Sequence, residues 1–288
     1  MGTIVQHGQY FISGLQQAFQ WIRVISLIYS SPVIQKAIAK TICLNGIIYL
    51  GALVIIDTIY TDHTIFGYSY MHLTGYPMYM ICLLVNSSLF SQIALEAFQV
   101  HANEYQRPTT IVTTASMIGN ALFYMNCAAL VRVLYWVPLI GTFISFFVTC
   151  LLMAYYSFEY KWIHLGWSLD QRLRHVEQNW AFFFGFGLPA ALLTFFLSTL
   201  HAGGVFALIY PGYIILATMA TLKPVNGPVS TTTTYLKIMN GWCLPDRIPF
   251  FWPVAKATYF AALLLKNLGA PNILAIMSEK KDQLGKVV

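Results

Sequence analysis

The alternation of apolar and polar positions divides the chain into long apolar stretches separated by short polar intervals. Residues 9–30 are predicted to form an amphipathic helix, because their apolar side chains recur at helical spacing and form one stripe. That stripe consists of Phe11, Leu15, Phe19, Ile22 and Ile25. Such a helix either lies in a membrane interface or packs against the protein's own cytosolic face, and the pattern leaves both alternatives open.

Two long apolar helices follow this first element. One is predicted over residues 32–60, with Pro32 at its first position, where proline is well tolerated. The other is predicted over residues 77–106 and is opened by Pro77. Each contains roughly the 20 apolar residues that a bilayer requires, so both are predicted to span a membrane.

The next two apolar blocks cover residues 109–158 and 182–222, and each is interrupted once. The interruptions fall at residues 136–138 and 201–204, which leaves almost no loop between the two halves of each block. We therefore predict two tight helical hairpins, each of which enters and leaves the membrane on the same side. The hairpins either cross the bilayer fully or dip into it part-way as re-entrant pairs.

The interval between the hairpins predicts a short cytosolic amphipathic helix over residues 167–180. Ser168 and Gln171 have the spacing of a capping box, which makes Ser168 the predicted N-cap. The apolar side chains of one face are Leu169, Leu173, Val176 and Trp180. The polar side chains assigned to the other faces are Arg172, Arg174, Glu177 and Gln178.

A run of helix-breaking residues, Gly185, Gly187 and Pro189, marks the entry to the second hairpin. These residues are predicted to separate the amphipathic helix from the hairpin and to let helices pack closely. The alternative is a backbone nest at a helix start, whose N–H groups would bind an anion.

The remaining residues, 223–288, are predicted to form a cytosolic tail. The tail contains an apolar stretch with two prolines, Lys256 and Lys266. We interpret residues 253–268 as a second interfacial helix rather than a spanning one.

Composition decides the class of protein. Apolar residues make up 58% of the chain and charged residues 9%, against about 25% charged residues in ordinary soluble proteins. So few charges exclude a soluble surface, and residues 1–288 are predicted to be one membrane domain. The predicted fold class is an all-α polytopic membrane protein with two long spanning helices, two helical hairpins and interfacial amphipathic helices.

The placement of positive charge predicts the orientation. Lys and Arg residues lie before the first span, after the second, between the hairpins and in the tail, whereas the loop between the first two spans has none. The positive-inside rule then places both termini in the cytosol. Because the basic residues follow this topology, they give no support to nucleic-acid binding.

Polar residues inside the apolar segments are the candidate sites. Arg132 lies near the tip of the first hairpin, where it either snorkels to the far headgroups or, in a re-entrant hairpin, lies deep enough to hold an anion. Asn120 and Asn126 on the same helix are predicted to hydrogen-bond between helices. Asn86 opens a glycosylation sequon inside a predicted span, which argues against its use. Glu96, at the end of that span, is expected to pair with a Lys or Arg.

No sequence motif indicates catalysis or cofactor binding. The seven histidines lack metal-ligand spacing, and the five cysteines lack a C-x-x-C pair. We therefore expect no enzyme activity, no cofactor and no metal site, and we interpret the cysteines as apolar packing residues.

The interval between the hairpins also carries a specific combination of residues. Its members are Tyr156, Phe158, Glu159, Tyr160, Trp162, Gly166, Gln171, Arg172, Leu173, Glu177, Asn179, Trp180, Gly185, Gly187 and Pro189. This combination resembles the etoposide-induced (p53-inducible) endoplasmic-reticulum membrane protein family, which includes the animal ectopic-P-granule autophagy protein. The order of elements is more distantly similar to the bacterial CysZ sulfate permeases.

The resemblance implies a multi-pass protein of the endoplasmic-reticulum membrane that acts in autophagosome formation or maturation, with links to apoptosis. It favours a non-enzymatic membrane scaffold or remodelling factor. The implied partners are the lipid bilayer and autophagy or endoplasmic-reticulum contact-site proteins. The CysZ likeness implies partially penetrating hairpins, a homo-oligomer and, as the alternative function, an anion (sulfate) channel or permease.

Overall fold

The computed structural model describes residues 2–60, 64–65, 68–102, 114–138, 140–222, 243–245 and 247–267. Nearly all of these residues are helical, so the prediction of an all-α membrane fold is confirmed. Four two-residue strands form two antiparallel ladders, β1 (Gly2–Thr3) with β4 (Cys243–Leu244) and β2 (Thr64–Ile65) with β3 (Tyr68–Ser69). The parts of the predicted tail at residues 223–242 and 268–288 lie outside the described residues, as does the predicted end of the second span at residue 106.

The helices follow one another with short connections. They are α1 (Ile4–Ala18), α2 (Trp21–Ser30), α3 (Pro32–Ile59), α4 (Tyr70–Ala102), α5 (Thr114–Tyr135), α6 (Ile140–His164), α7 (Leu169–Gln178), α8 (Trp180–Thr194), α9 (Thr199–Met219) and α10 (Trp252–Asn267). The middle of α3, Cys43–Leu50, is wound as a π-helix.

Within the described residues, α3, α4, α6 and α9 are long and apolar enough to cross a bilayer. Shorter apolar segments are Leu122–Tyr135 in α5, Trp180–Thr194 in α8 and Trp252–Leu265 in α10. The chain is therefore a multi-pass membrane protein. In the second hairpin, α9 has 21 residues and α8 has 15, so this hairpin joins an arm of spanning length to a shorter one.

The predicted N-terminal helix is two helices, and their surroundings differ. A turn at Phe19 and Gln20 separates α1 from α2. α1 packs against α8, with Phe11 on Phe184 at a ring-centroid distance of 5.4 Å. α2 instead leaves apolar side chains such as Ile22 exposed. The alternative of packing on the protein thus describes α1, and the membrane-facing alternative remains for α2.

The second spanning helix begins earlier than predicted, because Pro77 does not open it. Pro77 lies inside α4, which starts at Tyr70. A proline removes one backbone hydrogen bond from a helix, and in a membrane helix neighbouring groups readily compensate for that loss. The prediction that this helix begins at Pro77 is therefore wrong.

The turn of the second hairpin also lies elsewhere than predicted. It falls at residues 195–198, and residues 201–204 are helical because Ser198 caps α9, with its Oγ accepting from the His201 N–H at 3.5 Å. Gly203 and Gly204 serve packing: a Cβ on Gly203 would lie 2.5 Å from the Tyr79 ring. Gly203 and Gly204, which were predicted to form a loop, thus leave room in a helix for side chains of α3 and α4.

The tip of the second hairpin packs against the spanning helices before their ends. Tyr49 of α3 donates its hydroxyl proton to Leu200 O at 3.0 Å, and Gly75 of α4 faces both Leu200 and Leu53. Leu53 precedes the end of α3 at Ile59 by six residues, which is about 9 Å of helix. α8 itself covers about 22 Å, less than the ~30 Å hydrocarbon core. The tip of the second hairpin therefore lies before the end of α3, although α9 is itself of spanning length.

Gly185 and Gly187 do not break the chain but lie inside α8, as does Pro189. The break is at Asn179, the C-cap of α7. A Cβ on Gly185 would lie 2.2 Å from Phe11 O of α1, and one on Gly187 would lie 1.9 Å from Cys150 O of α6. The prediction of helix separation by these glycines is wrong, whereas the prediction of close packing is confirmed.

A methyl group at either glycine should destabilise the protein. Gly185→Ala and Gly187→Ala force α8 away from the backbone of a neighbouring helix, and we expect a loss of about 1–3 kcal/mol, as for other overpacked sites. The matched control is Gly8→Ala, since a Cβ there meets nothing within 4 Å. Thermal unfolding in detergent, followed by tryptophan fluorescence, measures the difference. Equal melting temperatures for all three variants would refute the close-contact argument.

Candidate functional site

The residues between the hairpins fold into a connected set of buried polar contacts, and its first centre is Glu159 on α6. The capping box that starts α7 is present, with Gln171 N donating to Ser168 Oγ at 3.3 Å and Ser168 N donating to Gln171 Oε1 at 2.8 Å. This start orients α7 so that Arg172, which the helical pattern assigned to a polar face, is buried. Arg172 Nη1 lies 3.6 Å from Glu159 Oε1. The pair joins α6 to α7 across the loop between them.

Residues of α5 complete the surroundings of the Glu159 carboxylate. Asn120 Nδ2 donates to Oε1 at 2.8 Å, and the Tyr124 hydroxyl donates to Oε2. Arg172 Nε donates to Trp167 O at 3.1 Å, but Arg172 Nη1 has no hydrogen-bond acceptor among the described residues. A buried ion pair is stabilising only when further hydrogen bonds satisfy both partners. The Glu159 carboxylate accepts hydrogen bonds on both oxygens, whereas the Arg172 guanidinium has one nitrogen without an acceptor among the described residues.

A buried carboxylate on α7, Glu177, forms the second centre and holds the C-terminal segment. Arg247 donates to Glu177 Oε2 through Nε at 2.9 Å and through Nη2 at 2.7 Å. The N–H of Phe251, just before α10, donates to Glu177 Oε1 at 3.1 Å. Glu177 thus neutralises a cation and satisfies an unpaired donor at the start of a helix, which is where a carboxylate is favourable.

Aromatic contacts strengthen this attachment. Trp180 Nε1 donates to Pro245 O at 3.3 Å, and Phe250 packs on Phe147 of α6 at a centroid distance of 5.0 Å. Further along α10, Asn126 Nδ2 of α5 donates to Thr258 Oγ1 at 3.1 Å. The C-terminal segment is therefore fixed to both arms of the first hairpin and to the start of α8.

Lys161 of α6 binds the C-terminal end of α9, at the base of the second hairpin. Its Nζ donates to Ala217 O at 3.1 Å and to Ala220 O at 2.8 Å. These carbonyls lie at the C-terminal end of α9, where a positive charge is favourable. Gln17 of α1 adds a reciprocal pair with the backbone of Thr221, at 3.1 Å in each direction. The base of the hairpin is thereby joined to α6 and to α1.

A cluster of rings lies beside these charges. Trp162 stacks on Trp167 with a centroid distance of 6.0 Å, and His175 meets both indoles edge-on. Burial, and to a smaller extent the positive charge of Lys161, lower the pKa of His175 to about 4. The imidazole is therefore neutral at neutral pH and serves as a packing group.

The candidates on α5 do not form one site. Asn120 contacts Glu159 and Asn126 contacts Thr258, so both pair between helices. Arg132 is exposed in the last turn of α5, twelve residues beyond Asn120, or about 18 Å along the helix. Arg132 therefore lies well away from the buried pair of Glu159 and Arg172.

Two further sequence expectations have clear outcomes on α4. Asn86 is buried and exchanges two hydrogen bonds with Asn45, at 2.9 Å and 2.7 Å. This pairing explains why the sequon is unsuited to glycosylation and joins α3 to α4. Glu96 accepts from the Ser31 hydroxyl at 2.8 Å, and the expected Lys or Arg partner is not found within the described residues.

Sequence reasoning gave no role to Glu159, Glu177 or Arg247. Glu159 lies in an apolar helix, so the criterion that singled out Arg132 applied to it equally. Arg247 had no such signal, because its partner is 70 residues away in the sequence. No group of three or more His, Cys, Asp or Glu side chains that could hold a metal occurs in the described part of the chain.

Loss of Arg247 should release the C-terminal segment. In Arg247→Ala, the buried carboxylate of Glu177 loses a bidentate partner, and we expect a cost of about 1.5–3 kcal/mol, typical of hydrogen bonds to charged groups. Limited proteolysis with chymotrypsin should then cut faster at Phe250–Trp252. The control is Arg174→Ala, which removes an exposed i,i+4 pair with Asp170 that contributes about 0.3–0.5 kcal/mol. Equal cleavage rates for the two variants would contradict the proposed attachment.

The depressed pKa of His175 predicts a loss of stability in acid. The unfolded chain takes up a proton at this histidine near pH 6.5, while the folded chain does so only near pH 4. Its contribution is therefore complete above the unfolded pKa and is lost as pH falls through this window. His175→Phe should flatten the dependence of the melting temperature on pH between these values. An unchanged slope would show that His175 is not responsible.

Comparisons with known proteins identify relatives of the chain. The sequence profile of the family described as "Sulfate transporter CysZ/Etoposide-induced protein 2.4" matches residues 20–211. Two proteins named "Protein EI24 homolog" are similar: that of Dictyostelium discoideum is 29% identical over 77% of this chain and 73% of its own, and that of Arabidopsis thaliana is 26% identical over 91% and 96%. "Ectopic P granules protein 4" of Caenorhabditis elegans is 27% identical over 54% of this chain and 50% of its own.

No solved structure is significantly similar to the chain. The profile match covers α2 to α8 and 13 of the 21 residues of α9. It therefore includes the buried pair of Glu159 and Arg172 as well as Glu177, whereas Arg247 lies beyond it. From this match over most of its length, the chain belongs to the CysZ/etoposide-induced protein 2.4 family.

Proposed function

We propose that the protein is a non-enzymatic membrane scaffold or remodelling factor of the endoplasmic reticulum that acts in autophagosome formation or maturation. The observation that carries the proposal is the unequal depth of its apolar elements. α3 and α4 are of spanning length, while the tip of the second hairpin packs near Leu53 and Gly75, before the ends of those helices. A protein that fills one leaflet more than the other acts as a wedge and favours curvature.

Exposed apolar faces on two shorter helices add to this asymmetry. α2 exposes Ile22 and Tyr29, and α10 exposes Trp252, Phe260 and Leu264. Apolar faces on helices too short to span are typical of elements that insert at the level of the headgroups, where binding is sensitive to curvature. The assignment to autophagy rests on the family and on its relative named for ectopic P granules.

An anion permease is the second candidate. The family description includes sulfate transporters, and Arg172 Nη1 is a buried cationic donor without a hydrogen-bond acceptor among the described residues. Against this candidate, the Glu159 carboxylate lies 3.6 Å from the same nitrogen and repels anions. Arg132 is exposed at the other end of α5 and does not extend that site.

The scaffold proposal is tested first in purified form and then in cells. Reconstitution into large liposomes should produce tubules or smaller vesicles in electron micrographs, because the wedge favours curved bilayers. Ile22→Asp combined with Tyr29→Ser should weaken this effect, while Arg174→Ala, on a water-facing surface, should not. Cells that lack the protein should turn over autophagic cargo more slowly and should recover with the wild-type chain. Normal turnover without the protein would overturn the autophagy assignment.

Sulfate flux separates the two candidates. Liposomes that contain the protein should release trapped radiolabelled sulfate no faster than protein-free liposomes if the protein is a scaffold. Rapid release that is lost in Arg172→Gln, with a melting temperature in the wild-type range, would instead establish the permease.

A further inference from the structure

The three sides of α2 differ sharply in character. Val24, Ile28 and Trp21 share the side that packs on the protein, where Trp21 meets Tyr213 of α9 edge-on at 5.7 Å. The next sector of the helix carries exposed apolar side chains, Ile22, Ile25 and Tyr29. The sector after that carries exposed polar side chains, Arg23, Ser26 and Ser30. At 100° per residue, the apolar and polar exposed sectors adjoin, as in a helix that lies along the boundary between lipid tails and headgroups.

The first turns of α3 continue this boundary. Lys36 and Lys40 lie one turn apart and are both exposed. They share the side of α3 that carries the exposed residues Cys43 and Ile47 further along the same helix. Both residues are exposed on a helix of spanning length, which places the two lysines at the end of a surface suited to lipid. Their long side chains can therefore keep the ammonium groups at the level of lipid phosphates.

The angle between the two helices is fixed by Ser31. This residue is extended, its Oγ accepts from the Ile34 N–H at 3.4 Å, and its hydroxyl donates to Glu96 of α4 at 2.8 Å. Gln35 Nε2 reaches back to Tyr29 O at 3.3 Å. The junction of α2 and α3 is thus attached to a spanning helix. Glu96 is the carboxylate at this junction, and it is already engaged by Ser31.

Within the described residues, the cations of this junction are unpaired, as are Arg132 and Lys256, whereas four other cations have partners. Arg172, Arg174 and Arg247 each meet a carboxylate, and Lys161 meets carbonyl oxygens. Within the same described ranges, no carboxylate pairs with Arg23, Lys36 or Lys40. Three cations beside an apolar sector complement a surface that is negatively charged at its headgroups and apolar beneath them.

We propose that the junction of α2 and α3, through Arg23, Lys36 and Lys40, binds the headgroups of anionic phospholipids in the leaflet where the chain begins. The exposed sector of Ile22, Ile25 and Tyr29 inserts among the acyl chains, and the three cations contact the phosphates and carboxylates above them. Each basic residue near an anionic membrane surface contributes on the order of 1 kcal/mol. This inference goes beyond the proposed function, because it applies to a scaffold and to a permease alike.

Native mass spectrometry of the purified chain tests the proposal. The protein is incubated in detergent with equimolar phosphatidylserine and phosphatidylcholine, and the bound lipid is counted. The wild-type chain should retain phosphatidylserine in preference to phosphatidylcholine. The triple variant Arg23→Gln, Lys36→Gln and Lys40→Gln should lose about tenfold or more of that preference, as expected for three surface cations.

The matched control removes three exposed cations elsewhere. Arg132→Gln, Arg174→Gln and Lys256→Gln change the net charge by the same amount, and this variant should keep the wild-type preference. Added inorganic phosphate or sulfate should not displace the lipid, whereas displacement would identify a site for the free anion and overturn the proposal. Equal losses in both triple variants, or no loss in the junction variant, would also overturn it. Melting temperatures within the wild-type range show that each variant is folded.

Discussion

The backbone of α8 touches the backbones of two neighbouring helices, and most of the structure depends on these contacts. Gly185 faces Phe11 of α1 and Gly187 faces Cys150 of α6, while Gly14 of α1 faces Phe182 in return. Apolar side chains give little drive for helices to associate within a lipid bilayer, so close approach at small residues supplies much of the attraction. The glycines of α8 thus hold the N-terminal helix and the first hairpin on opposite sides of one short helix.

The packing of these helices brings each buried charge close to a partner. Burial of a single charge is costly, and Glu159, Lys161, Arg172 and Glu177 would each destabilise the protein without a partner. Every one of them meets its main partner on another element: α7 for Glu159, α9 for Lys161 and the segment before α10 for Glu177. Because removal of one partner leaves the other buried and unpaired, these residues depend on one another. This dependence explains why so many specific residue types are concentrated between Tyr156 and Pro189.

The positively charged side chains fall into two classes, those with partners inside the protein and those without. Cations in and near the connecting segment are used internally, whereas those at the junction of α2 and α3 remain available to the membrane. The proposed lipid binding would make this junction respond to lipid composition. Such a junction would suit a protein that shapes or recognises a membrane, and it would equally orient a transport protein in its bilayer.

The sequence by itself determined the membrane class, the order of the elements and the start of α7. The long apolar stretches required a bilayer, and the capping box at Ser168 formed as predicted because both of its hydrogen bonds are local. The family resemblance was equally accessible, since it depends on residue identities and is borne out by the profile match. Local patterns of this kind need no knowledge of distant parts of the chain.

Only the tertiary structure decided what the glycines and the buried charges do. Gly185, Gly187, Gly203 and Gly204 looked like breaks, because glycine lowers helix propensity, yet they lie in helices where another helix or an aromatic ring comes close. Arg172 and Glu177 occupy positions that periodicity assigned to water. They are buried because Glu159 and Arg247 reach them from elements that are 13 and 70 residues away in the sequence. Periodicity reports which side of a helix is polar, but only the folded chain shows whether that side meets water or a partner of opposite charge.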